Sequence, residues 1–181
     1  VTEEGDGLLV RRVLAGERQV YARLVERYRD RLGRYAVRML GNRADAEEAL
    51  QDAFVRGYRS LARCTSAERF GPWLFGILVN RCRTYAARQA RRQALVVTNE
   101  VAVASASVAH GEEESAWREA IFWALERLSA DQREAFLLKH VEDLSYEEME
   151  KLTGTRAPAL RMRVLRAREE LRRLLGEMVR D

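Results

Sequence analysis

Two runs of arginine dominate the chemistry open to this sequence. Between Val79 and Arg92 stand Arg81, Arg83, Arg88, Arg91 and Arg92 with no acid, a local charge of +5, and Phe70, Trp73, Phe75 and Tyr85 fall in or just before this run. Guanidinium groups fork onto phosphates and aromatic rings stack on bases, so the mixture suits nucleic acid. The plainer reading is an aromatic core with arginines on its surface. A second run carries Arg156, Arg161, Arg163, Arg166, Arg168, Arg172 and Arg173 against only Glu169 and Glu170, again +5. The stretch before it, residues 132–150, is acidic: Arg133 and Lys139 face Glu134, Glu142, Asp143, Glu147, Glu148 and Glu150, a charge of −4.

A third feature is acidic. In "ADAEEALQDAFVRGYRSL", Ala46, Ala49, Leu50, Ala53, Phe54, Gly57 and Leu61 share one broad helical face, and Asp45, Glu48 and Asp52 form a narrow stripe opposite it. Acids near a helix N-terminus are favoured by its dipole and can simply be solvated. The same stripe could equally dock a basic partner.

Residues for covalent or metal chemistry are scarce. Cys64 and Cys82 belong to no CxxC pair, and His110 and His140 to no HExxH group. With no nucleophile–base set or phosphate loop either, the expectation is no enzyme, no metal and no cofactor. Of 32 basic residues only Lys139 and Lys151 are lysine, a bias that phosphate recognition or GC-rich codons would each produce. The net charge of +4 is small, so its distribution carries the information. No leader-like start and no membrane-length apolar run is present, which leads to the expectation of a cytoplasmic protein without membrane insertion.

These groups must be positioned by helices. Proline occurs only at Pro72 and Pro158, and helical periodicity governs nearly the whole chain, so the expected fold is all-α. Val20, Leu24, Tyr28, Leu32, Tyr35 and Met39 recur at helical spacing before a stop at Gly41. At 181 residues and 47% hydrophobic composition, two small helical domains are affordable. The low-charge tract "QALVVTNEVAVASASVAHGEE" divides the chain into residues 8–92, a flexible linker 93–113 and residues 114–181. A strand reading of this tract lacks partner strands. Near the C-terminus, Ser145 with Glu148 makes a capping box for a short helix that Gly154 can end. Thr155 can cap a second helix with Pro158 in its first turn and Leu160, Val164, Ala167, Leu171 and Leu174 as its buried stripe. That is a helix-turn-helix pattern, which can aim its second helix at the major groove. A helical hairpin with a solvated charged face is the alternative.

Four blocks in order, "LVRRVLAGERQVYARLVERYRDRL", "GNRADAEEALQDAFVRGYRSL", "RFGPWLFGILVNRCR" and "LSADQREAFLLKHVEDLSYEEMEKLTG…LRMRVLRAREELRRLL", resemble the extracytoplasmic-function (ECF) sigma factors of bacterial RNA polymerase. The resemblance implies that residues 8–92 correspond to sigma region 2, and 114–181 to the helix-turn-helix of region 4. It implies core RNA polymerase and promoter DNA as partners. Many members also have an anti-sigma partner, which no residue here reveals. By the same likeness, Asp45, Glu48, Gln51, Asp52 and Arg56 would bind polymerase. The loop from Ala62 to Arg69 and the helix through Asn80, Arg81, Arg83 and Arg88 would open the downstream promoter element. Arg156, Ala159, Arg161, Met162, Arg163 and Arg166 would read the upstream one. A stand-alone helix-turn-helix regulator would account for residues 130–175 alone. The chain departs from the family pattern at Gly71 and Val79, which lack the usual basic side chains, and near Thr84, where an acid is usual. In the reading helix Pro158 replaces a glycine, Ala159 a threonine and Met162 a serine, which implies a changed upstream sequence.

If residues 93–113 link two domains, limited proteolysis of the free protein should cut first between Gln93 and Glu113. Resistance there, with cleavage elsewhere, would mean the tract is folded into a core.

Overall fold

The computed structural model describes residues 4–96 and 112–178. Eight α-helices run through them: α1 Asp6–Leu14, α2 Tyr21–Leu40, α3 Arg43–Arg59, α4 Phe70–Val96, α5 Glu112–Arg127, α6 Ala130–His140, α7 Tyr146–Thr153 and α8 Ala157–Met178. Short 3-10 turns at Arg18–Val20, Leu61–Arg63 and Ala67–Arg69 complete them, and no strand occurs among the described residues. The expected linker falls mostly at 97–111, outside the described residues; its first four positions, 93–96, are the last turn of α4, and 112–113 begin α5. The chain divides into two compact units, one from residues up to Val37 with 44–94, the other from 38–43 with residue 95 onward.

In the first unit the helical stripe of α2 is its core side: Leu24, Leu32 and Tyr35 are at most 1% exposed. Tyr28, on the same line, is half-buried because its hydroxyl reaches Asp6 of α1 and donates to it. Burial, and next that hydrogen bond, push the Tyr28 phenol up to about 12. Glycines on α3 and α4 let neighbouring helices come close. A Cβ at Gly57 would lie 2.8 Å from Leu74 Cδ1 of α4, and one at Gly71 would lie 2.6 Å from the Tyr28 hydroxyl. Gly71 is therefore a packing position, where even a Cβ must displace the Tyr28 ring. Phe70 sits at the centre, fully buried, with edge-on contacts to Tyr21 at 6.4 Å and Tyr28 at 5.7 Å.

The second unit is arranged around α8, which packs on α6, α7 and α5. All five residues of its expected apolar stripe, Leu160, Val164, Ala167, Leu171 and Leu174, are buried. Burial of a leucine such as Leu160 contributes about 2 kcal/mol. Two capping boxes start the short helices. Ser129 Oγ accepts from Gln132 N–H at 3.3 Å, and Ser145 Oγ accepts from Glu148 N–H at 3.2 Å. Gly154 ends α7 in the left-handed conformation, φ 69°, which a residue with a Cβ adopts only with strain. Thr155 does not cap α8 as expected. Instead Glu150 of α7 accepts from the Ala157 N–H at 2.9 Å, placing a carboxylate on the positive end of α8.

Arg133, one of the two basic residues of the acidic stretch 132–150, is buried. Its guanidinium donates to Leu125 O at 2.7 Å, Glu126 O at 2.6 Å and Leu128 O at 3.4 Å, carbonyls at and just past the last turn of α5. Carbonyls at a helix end run short of backbone donors; Leu125 O accepts one bond from the Leu128 N–H at 3.2 Å, and the arginine supplies further donors. Burial lowers the Arg133 pKa, and the Glu126 charge works against that shift.

Gly71→Ala should destabilise the first unit by about 1–3 kcal/mol, because the Tyr28 hydroxyl it displaces is held by Asp6 and cannot simply swing away. Urea unfolding followed by circular dichroism tests this; an unchanged midpoint would mean the α2–α4 crossing yields at little cost.

Candidate nucleic-acid interface

The first basic run does not stand clear of the acidic stripe. Asp52 of α3 lies 3.5 Å from Arg81 Nη1 of α4 and 3.1 Å from Arg56 Nε on its own helix. Asp45 pairs with Arg92 at 3.2 Å. Between these pairs a cleft of about 330 Å³ is lined by Asp45, Glu48, Tyr85, Arg88, Arg91 and Arg92. Tyr85 is half-buried there; its phenol is pushed up from the ordinary value first by burial, then by the charges of Glu48 and Asp52 and by its hydrogen bond to Glu48. Arg88 lies over the Tyr85 ring, 5.4 Å from its centroid.

Residues assigned to two different partners thus meet along one edge. Asp45 and Asp52 are half-covered, whereas Glu48, Gln51 and Arg56 are exposed, so the α3 edge offers an acidic and polar line to solvent. On α4, Asn80 and Arg88 are exposed, and Arg81 and Arg83 are half-buried. The aromatic residues divide. Phe70 and Phe75 are core, Phe75 packing edge-on against Tyr35 at 5.0 Å, so the base-stacking reading fails for these two. Trp73 is half-buried against Phe70 at 5.9 Å.

The second basic run has a different geometry. Arg156, Ala159, Arg161, Met162 and Arg166 are exposed along the first turns of α8 and its N-terminal flank. Arg163 is not: it reaches back to Asp131 of α6 at 2.6 Å, and its Nη1 donates to Thr155 Oγ1 at 3.4 Å. The Arg161 guanidinium lies 5.1 Å from the Tyr146 ring centroid, and Lys139 approaches that ring at 5.5 Å. A ring beside two cations orients both. Sequence spacing missed Asp131 and Tyr146, which lie 32 and 15 positions from the arginines they hold; the only local sign is the place of Tyr146 directly after the Ser145 cap. Among the described residues no group of three His, Cys, Asp or Glu side chains could hold a metal ion, and no helix is long and apolar enough to cross a membrane.

Comparison with known proteins gives two family matches, Sigma-70 region 2 over residues 24–92 and Sigma-70, region 4 over residues 118–171. The chain is 36% identical to the RNA polymerase sigma factor CarQ of Myxococcus xanthus over 163 residues, covering 90% of this chain and 93% of that protein. It is 29% identical to the ECF RNA polymerase sigma-E factor of Escherichia coli K12 over 185 residues, 97% of this chain and 96% of that one. Among solved structures, the sigma factor RpoE of Bartonella quintana in complex with the anti-sigma factor NepR matches with a TM-score of 0.69 at 26% identity, covering 86% of this chain and 96% of that chain.

The α3–α4 ion pairs decide how easily the acids could change partners. Asp52 and Arg81 have side chains 32% and 22% exposed, and a double-mutant cycle to alanine should return a coupling of about 0.2–1 kcal/mol in urea unfolding. A coupling above about 2 kcal/mol would mark the pair as a strut that a partner could not displace.

Proposed function

We propose a division of labour for a chain that belongs to the sigma-70 family of RNA polymerase sigma factors, in its ECF branch. The first unit docks on core RNA polymerase through Asp45, Glu48, Gln51, Asp52 and Arg56 of α3. Asn80, Arg81, Arg83 and Arg88 of α4 take promoter DNA at the downstream element. In the second unit α8 enters the major groove of the upstream element, with Arg156, Ala159, Arg161, Met162, Arg163 and Arg166 at or beside the DNA. The proposed domains are residues 8–92 and 114–181, with 93–113 between them. The chain performs no bond chemistry of its own and takes no cofactor. It lends recognition and strand opening to the polymerase, and the proposed place of work is the cytoplasm, where promoter DNA lies. The Bartonella relative is held by an anti-sigma factor, and a protein of that kind is a further proposed partner.

The observation that carries this reading is an exposed acidic edge and an exposed basic helix in one chain. Glu48 and Gln51 offer polar contacts on α3, and Arg161 and Arg166 do so on α8. A DNA-binding regulator needs only the second. The internal pairs support the reading further: surface ion pairs of this kind contribute little, so an incoming basic surface can take Asp45 and Asp52 from Arg92 and Arg81 at small cost. The arginines so released gain freedom to meet phosphate.

Reversing Glu48 and Asp52 to arginine replaces attraction with repulsion at this edge, a change typically worth several kcal/mol at a complementary interface. Pull-down with core RNA polymerase should fall by at least about a hundredfold in affinity, and circular dichroism should show a retained fold. The control, Arg161→Ala with Arg166→Ala, should still bind polymerase but fail to initiate at the cognate promoter. Full polymerase binding by the folded charge-reversed protein would refute docking through α3 and favour a stand-alone regulator.

A further inference from the structure

The face of α8 turned furthest from its own unit is not a row of arginines. At about 100° per residue, Met162 and Leu165 lie roughly opposite the buried line of Leu160, Val164 and Ala167. They are 48% and 45% exposed, although both are large and apolar. Pro158, also exposed, carries the line to the start of the helix. Arg161, Arg168 and Arg172 border it on one side and Arg166 on the other, all four exposed. Arg161 and Arg163 are drawn sideways, toward Tyr146 and Asp131, which leaves the centre of the face to Met162 and Leu165.

An apolar line with cationic borders fits an occupant with apolar groups between two anionic rows. The major groove has that form: phosphates run along both rims, and the C5-methyl group of thymine is the apolar feature of its floor. The line covers only the first turns of α8, the part of a recognition helix that reaches base edges. It ends at Glu169, one turn beyond Leu165 and exposed, and Glu147 and Glu148 are exposed on α7. An anionic membrane would meet those carboxylates on the same hairpin, so DNA is the better match.

Resting on the reading of α8 as the upstream reader, we propose that Met162 and Leu165 are specificity-determining residues that contact thymine C5-methyl groups, while the bordering arginines hold the phosphates. The upstream element then contains A·T pairs under the first turns of α8, read by shape and methyl contact rather than by arginine forks on guanine.

The test uses the full chain reconstituted with core RNA polymerase. The probe is a promoter duplex selected by that holoenzyme from a pool with a randomised upstream element. Each thymine of the element is replaced in turn by deoxyuridine, which removes only the methyl group. At one or two positions the parent should lose about fourfold in affinity, equivalent to about 0.8 kcal/mol for one methyl-sized group. Met162→Ala or Leu165→Ala should weaken binding to the thymine duplex by a similar factor and abolish discrimination at the same position. Equal affinity of the parent for every uracil duplex, or a selected element without A·T pairs, would overturn the proposal. If Arg161→Ala or Arg166→Ala still weakens binding in that case, the groove reading survives and only the methyl contact fails. If those arginine variants bind like the parent, the groove reading itself is wrong. Binding to phosphatidylserine vesicles that Met162→Ala removes, with promoter affinity unchanged, would assign the apolar line to a membrane and also overturn the proposal.

Discussion

Arginine in this chain depends on what stands opposite it on the next helix, because a guanidinium presents five donors in a rigid fork and cannot shed its charge. Arg133 shows the strongest form of that constraint. It is buried, and carbonyls of Leu125, Glu126 and Leu128 at the end of α5 accept from its guanidinium, so this one side chain ties α6 to the end of α5. Removing a buried charge's partners is expensive, whereas adding polar acceptors at a helix end that needs donors satisfies both groups together.

Milder versions of the pairing recur on the surfaces proposed for binding partners. Asp45 with Arg92, Asp52 with Arg81 and Asp131 with Arg163 are all at least partly exposed, and each joins two helices. Such contacts orient side chains without binding them tightly. They suit surfaces that must stay folded and soluble when empty and then exchange partners. The α3–α4 edge is the clearest case, since the acids proposed to meet polymerase hold arginines at the edge proposed to meet DNA. Neutralising each other limits indiscriminate binding by either set.

The turn before α8 makes a second link between stability and recognition. Gly154 reverses the chain in a left-handed conformation, and Glu150 then reaches across to the Ala157 N–H. One carboxylate of α7 thus caps the start of α8. Its charge complements the dipole of α8 and leaves the outward face free of acids until Glu169.

Much of this was legible in the residues alone. The all-α class, the stripe of α8, the Ser145 capping box and the stop at Gly154 are local properties, set by spacing of 3.6 residues and by side chains bonding to their own backbone, so a single segment reveals them. The family likeness rests on the same local order. What the residues could not show was which charge faces which. The acidic stripe of α3 looked like open surface because nothing in its spacing announces Arg81 and Arg92, 29 and 47 positions away from their partners. Phe75 looked able to stack on bases until the crossing of α2 and α4 put it against Tyr35. Arg161 and Arg163, two positions apart and equal in composition, are separated by roughly 200° of helix, and only the packing of α6 and α7 decides that one leans on a ring and the other on a carboxylate. Periodicity reports which face of a helix is buried; the identity of its neighbours is a property of the tertiary fold, because the contacts that decide it join residues far apart in the chain.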